Sequence, residues 1–159
     1  MPFSPTVLVA EDDSSDVALL QRAIKKANVE VRFEFVYDGG EAMDYLQAKP
    51  PFDNAGAPPP AVLLLDLKMP RVDGFEVLEW LQHRPELRPP TVAVFSSSGV
   101  TDDIRRTSRL GVDHYFVKPC DLNELIWIVK IIERYCQEDR ATAAGAEQAE
   151  ETLRHTAAA

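Results

Sequence analysis

Four short stretches of this chain carry residue types that do chemistry. Glu11-Asp12-Asp13 follows the apolar run TVLVA, and Asp66-Leu67-Lys68-Met69-Pro70 follows AVLLL. Ser96-Ser97-Ser98-Gly99 follows TVAVF, and Lys118-Pro119 follows HYFV. Each has an ordinary reading by itself: Asp13 or Ser14 as a helix cap, Asp66 as the start of a turn, the serines as loop, Lys-Pro as a turn pair. Taken together they say more, because carboxylates crowded at one edge repel each other unless a cation sits between them. Mg²⁺ fits such a set: it takes oxygen ligands, is held by one or two carboxylates, and keeps positions for water or phosphate oxygens. Lys118 and Ser96 then offer a charge and a hydroxyl donor to an anion beside the metal.

These residues meet only if the elements before them end at one edge. Thr6 to Ala10, Ala61 to Leu65, Thr91 to Phe95 and His114 to Val117 are short, apolar and rich in β-branched residues. They read as strands buried on both faces. Val31 to Val36 alternates apolar and polar residues, as an edge strand with one wet face does. Helical spacing follows the first strand at Val17, Leu20, Ile24 and Ala27, and the third at Phe75, Leu78 and Leu81. Alternating strands and helices predict an α/β fold, a parallel sheet covered on both faces by right-handed crossovers. Ligands of such sheets bind beyond the carboxyl ends of the strands, where all four chemical stretches fall.

The remainder of the 159 residues narrows the field. With 17 Lys and Arg against 26 Asp and Glu the formal net charge is -9, which repels phosphate backbones and anionic lipid. No nucleic acid and no membrane partner is expected. No apolar run reaches the ~18 residues of a bilayer span, and the start MPFSP lacks a secretory pattern, so a cytoplasmic location is expected. Cys120 and Cys136 lie at opposite ends of one predicted helix, roughly 24 Å apart, too far for a disulfide. Residues 49–60 hold five of the 12 prolines and read as a stiff surface loop. The tail, 138–159, has one large aliphatic side chain, Leu153, and is expected to be disordered or a helical extension with no output domain.

Glu11-Asp12, the segment LLLDLKMPRVDGFEVL around Asp66, Ser96 in VFSSSG, and Tyr115 followed by Lys118-Pro119 resemble the receiver domain of two-component response regulators. The resemblance runs from about Thr6 to Gln137, giving a receiver domain over 1–137. The proline-rich insertion and the tail more narrowly resemble stand-alone regulators paired with phytochrome histidine kinases. The implied fold is a flavodoxin-like, doubly wound, five-stranded parallel sheet in the order 2-1-3-4-5. The implied partner is a sensor histidine kinase, and the narrower resemblance implies a bacterial phytochrome. The resemblance implies that Asp66 is the phosphoacceptor, and that Glu11, Asp12, Asp66 and the main-chain carbonyl of Lys68 hold Mg²⁺. Lys118 would pair with a phosphoryl oxygen, and Pro119 would follow a cis bond. Ser96 and Tyr115 would form the switch pair. Such a protein is not an enzyme, beyond slow hydrolysis of its own aspartyl phosphate.

A capping box of Asp121 and Glu124 predicts a helix over Leu122 to Cys136. Leu122, Leu125, Val129, Ile132 and Cys136 form the stripe assigned to the sheet. Trp127, Ile128, Ile131 and Tyr135 form a second stripe with no core to fill, which predicts a symmetric homodimer through this helix. Two other functions compete. A haloacid dehalogenase-like phosphatase also uses an aspartyl phosphate, but needs a second acid two residues on, where Lys68 stands. A flavodoxin-like mononucleotide binder needs a phosphate loop where Glu11-Asp12-Asp13 would repel the phosphate.

Overall fold

The computed structural model describes residues 4–53 and 59–157; residues 54–58 of the predicted proline-rich loop, and 158–159 of the tail, lie outside them. Strands β1 (Thr6–Ala10), β2 (Arg32–Val36), β3 (Val62–Leu65), β4 (Thr91–Ser96) and β5 (His114–Val117) alternate with helices α1 (Ser14–Ala27), α2 (Gly39–Leu46), α3 (Gly74–Gln82), α4 (Thr101–Arg109) and α5 (Leu122–Ala157). The five strands pair in parallel in the order β2-β1-β3-β4-β5, as the resemblance implied.

Side chains alternate across this sheet with period two, which sorts the apolar runs into two cores. Val7, Val9, Val62, Leu64, Ala93 and Phe95 pack with Leu20 of α1 and with Val129 and Ile132 of α5. Leu8, Ala10, Leu63, Leu65, Val92 and Val94 pack with Ala42 of α2 and with Val77 and Leu78 of α3. A strand apolar at every position therefore serves both layers at once. Caps start the helices where the sheet rim needs them. Asp13 accepts from Ser15 and Asp16 N–H, Asp38 from Glu41 N–H, and Asp73 exchanges bonds with Glu76 in a capping box.

Three sequence expectations change. β5 is half-exposed rather than buried on both faces: it pairs only with β4, and Val117 is 47% exposed. Asp121 caps α5 through Asn123 N–H (2.9 Å), the second helical position, where a capping box with Glu124 was expected at the third. Ile128 is 5% exposed and belongs to the first core, not to a free stripe. It lies three residues past Leu125 and four before Ile132, so it joins the predicted sheet-facing stripe of Leu125, Val129, Ile132 and Cys136, all buried. Of the other three, Trp127 is 63% exposed, Ile131 is partly exposed, and Tyr135 stacks on His114 of β5 with ring centroids 4.1 Å apart. The helix α5 continues to Ala157, past the Cys136 end expected from the sequence.

Candidate functional site

Backbone pairing carries the strand register past the strand ends and sets the rim. Glu11 N–H donates to Val36 O (3.0 Å), Asp66 N–H to Ala10 O (3.0 Å), and Lys118 N–H to Ser96 O (2.8 Å). The first residues after β1, β3 and β5 are thus held beside one another although more than a hundred positions apart in the chain. Ligand-capable oxygens of Glu11, Asp12 and Asp66 lie within 4.8 Å of one another. Into this group Lys118 extends its ammonium, 2.5 Å from Glu11 Oε2, 2.8 Å from Asp16 Oδ2 and 3.1 Å from Asp66 Oδ2. Asp66 is buried, with Oδ1 accepting from Leu67 N–H (2.8 Å) and Oδ2 facing Lys118.

Asp66 is backed by α3. Gly74 N–H donates to Leu67 O (3.0 Å), and a Cβ on Gly74 would sit 2.2 Å from Asp66 O and 2.8 Å from Leu67 Cα. Only glycine lets the helix start this close to the carboxylate-bearing backbone. The loop between them is also clamped from α2: Gly39 N–H donates to Val72 O (3.0 Å), and buried Asp38 pairs with Arg71.

Burial pushes the Glu11 carboxyl up to about 7, with Asp66 adding to the rise, against the downward pull of Lys118. Burial acts the other way on Lys118, yet its contacts with Asp16 and Glu11 and the field of Asp66 outweigh it, so the ammonium titrates above the usual lysine range. Lys118 is therefore a fixed positive charge. Although the ammonium is close, Glu11 Oε2 is a buried oxygen that receives no directed hydrogen bond. Three carboxylates within 4.8 Å of one another, offering only oxygen donors, are the set a hard divalent cation takes, so these residues fit one.

Ser96 is fully buried, and its Oγ accepts from Ser98 N–H (3.2 Å). Tyr115 O–H donates to Ser98 O (2.6 Å), so the two residues are joined through Ser98. Burial raises the Tyr115 phenol, with Asp103 and Asp66 contributing in the same direction. Lys68, whose carbonyl the resemblance enlists, follows Asp66 on the rim with an exposed side chain. The structure thus brings together Glu11, Asp12, Asp66 and Lys118, and Ser96 with Tyr115. It sets Trp127, Ile131 and Tyr135 apart on α5. The cis peptide of the described residues joins Pro50 to Pro51, so the implied cis bond before Pro119 is not observed. Asp16 was missed by the sequence reading, although its position one turn into α1, four residues after Asp12, was the available signal.

Comparison with known proteins agrees with this geometry. The family model "Response regulator receiver domain" matches residues 7–130. The probable methanogenesis regulatory protein FilR2 of Methanothrix harundinacea is 34% identical over 129 residues, 81% of each chain. Response regulator Rcp1 of Synechocystis is 33% identical over 83% of this chain and 88% of its own, and its Mn²⁺-bound crystal structure superposes with a TM-score of 0.70. The phosphorylated cyanobacterial phytochrome response regulator RcpA is 36% identical, with a TM-score of 0.74 over 85% of this chain and 95% of its own. Matched over a span that contains every rim residue described above, the chain belongs to the response regulator receiver domain family.

Proposed function

We propose that Asp66 takes a phosphoryl group from the phosphohistidine of a sensor histidine kinase, and that the surface around Ser96 and Tyr115 changes in response. The observation that carries this reading is the Asp66 carboxylate held between a three-carboxylate cluster and the Lys118 ammonium at 3.1 Å. An Asp66 oxygen attacks phosphorus in line with the leaving imidazole. The P–O bond forms, the P–N bond breaks, and its electron pair stays on the kinase histidine. When bound, Mg²⁺ supplies charge neutralisation for the transferring group. Glu11, Asp12, Asp66 and the main-chain carbonyl of Lys68 would hold it. Lys118, permanently charged, pairs with a phosphoryl oxygen.

The product brings about -1.5 to -2 charges to the rim. Ser96 Oγ has an O–H to donate to that group, and turning toward it means releasing Ser98 N–H, whose neighbouring carbonyl Tyr115 grips. Moving a two-state surface from 1:99 to 99:1 takes ~5.5 kcal/mol, a sum that a few charge-assisted hydrogen bonds supply. The phosphatase reading finds no acid at Lys68, so the chain acts as a switch that at most slowly hydrolyses its own acyl phosphate.

The likeness to RcpA supports a phytochrome kinase as the phosphoryl donor. A second copy of this chain is the proposed partner for Trp127, Ile131 and Tyr135 on α5. The free thiols of Cys120 and Cys136 support a reducing, cytoplasmic compartment. Acetyl phosphate with Mg²⁺ tests the central claim by intact mass: one phosphoryl per chain is expected, and none in Asp66→Asn. Labelling that survives Asp66→Asn, or steady turnover of small phosphate esters, would overturn it.

A further inference from the structure

Lys118 has more anionic partners than its role with a phosphoryl group requires. Its side chain is 12% exposed, and its ammonium touches three carboxylates, Glu11, Asp16 and Asp66. Two of these, Glu11 and Asp66, belong to the cluster that fits a divalent ion; Asp16 does not. Asp16 sits in the first turn of α1, its N–H bonded to the Asp13 cap (3.0 Å) and its Oδ2 accepting from Lys118 at 2.8 Å, across 102 positions of sequence. Its side chain is 38% exposed, so no packing requirement puts an acid there.

A cation loaded among Glu11, Asp12 and Asp66 competes with the ammonium for the same oxygens. Lys118 must then give up Glu11 Oε2 and Asp66 Oδ2, and Asp16 is the carboxylate left to hold a mostly buried charge. We propose that Asp16 is a positioning residue that retains the Lys118 ammonium beside Asp66 while Mg²⁺ occupies the carboxylate cluster. The inference rests on the phosphoacceptor reading above. Asp16 and the metal are thereby coupled through Lys118: removing Asp16 leaves the ammonium to compete harder for Glu11 and Asp66.

The coupling is measured by Mg²⁺ titration calorimetry on four proteins: wild type, Asp16→Asn, Lys118→Ala and the double variant. Melting curves serve as the folding control. Asp16→Asn should weaken Mg²⁺ binding about fivefold, or ~1 kcal/mol, the scale of a partly exposed ion pair. In the Lys118→Ala background the same change should have less than about a twofold effect, because there is no ammonium left to position. Should Asp16→Asn weaken Mg²⁺ equally in both backgrounds, Asp16 acts as a bare charge on the ion and the proposal fails. It fails too if Asp16→Asn has no effect while the wild type binds. Absence of Mg²⁺ binding by the wild type would instead sink the phosphoacceptor reading itself. If Asp16→Asn melts abnormally, Asp16→Ser gives the same cycle.

Discussion

Gly74→Ala is the substitution that strikes Asp66 from behind while leaving every rim side chain in place. The added Cβ would lie 2.2 Å from Asp66 O, 2.8 Å from Leu67 Cα and 3.0 Å from Asp66 C. Ordinary C···O contacts begin near ~3.3 Å, so about 1 Å must be made by moving backbone, not a flexible side-chain tip. Overpacking of this kind costs about 1 to 3 kcal/mol, and the alanine gains back up to ~1 kcal/mol of helix propensity. A net loss of about 1 kcal/mol is expected, roughly 3 °C in melting temperature for a chain of this size. The functional loss should be larger than the stability loss. A displacement of ~1 Å at the nucleophile costs on the order of a hundredfold in rate. Gly145→Ala is the matched control, since nothing lies within 4 Å of a Cβ there. Far-UV circular dichroism melts and acetyl phosphate labelling rates, read on both variants, decide the matter. If Gly74→Ala labels at the wild-type rate and melts with Gly145→Ala, α3 does not set the position of Asp66 and this reasoning is wrong.

Four further outcomes are expected. Ile128→Ala should cost about 2 to 4 kcal/mol in urea unfolding, as a buried core truncation does, against under ~0.5 kcal/mol for a surface site. Burial lifts the Cys136 thiol from 9.0 to about 12, so its contribution to stability is complete below pH 9 and is lost as the pH climbs from 9 toward 12. Between pH 7 and 10 that is about 1 kcal/mol, visible as a steeper fall in stability for wild type than for Cys136→Val. A thiol reagent at pH 8 should modify exposed Cys120 alone, and two equivalents in the native state would contradict the burial of Cys136. Trp127→Ser with Ile131→Glu should convert a dimer to a monomer in light scattering, and an unchanged mass rules out a dimer through α5.

The three central strands were legible because their residues are almost wholly apolar, which leaves no other stable home than the middle of a doubly covered sheet. β5 was misjudged for the same reason. HYFV has the composition of an inner strand, and only the number of neighbours, a property of the whole sheet, exposes one of its edges. On α5 the pattern placed Leu125, Val129, Ile132 and Cys136 correctly, yet assigned Ile128 outward. The stripe buried by a sheet flanked by a second helix is wider than a narrow seam, and α1 supplies the extra cover. At the rim, Glu11, Asp12, Asp66 and Lys118 could be read from position alone, being the first or second residues after strands. Asp16 offered only its helical spacing from Asp12, because its pairing depends on how far a lysine reaches across the pocket from β5.

Rigidity is unevenly distributed around this rim, and the unevenness is what lets a phosphoryl charge become a change of shape. The β3–α3 side is locked: Asp66 N–H to Ala10 O, Gly74 N–H to Leu67 O, Gly39 N–H to Val72 O, and buried Asp38 on Arg71. The β4–α4 side is not. Val100 occupies the cap position of α4 without a side-chain acceptor to offer, and Thr107 is the buried residue of that helix. What holds α4 is largely exposed: Arg106 on Glu79 (3.2 Å) and over the Phe75 ring, and Ser98 O–H donating to Asp103 (2.5 Å). Few buried apolar contacts and solvent-facing polar ones mark the end of a structure that opens first. Ser98 ties this side together, since its N–H meets Ser96 of β4, its carbonyl meets Tyr115 of β5, and its hydroxyl meets Asp103 of α4. In the proposed switch a new anion beside Asp66 pulls at this weakly attached loop, while the backbone that carries Glu11, Asp12 and Asp66 stays fixed.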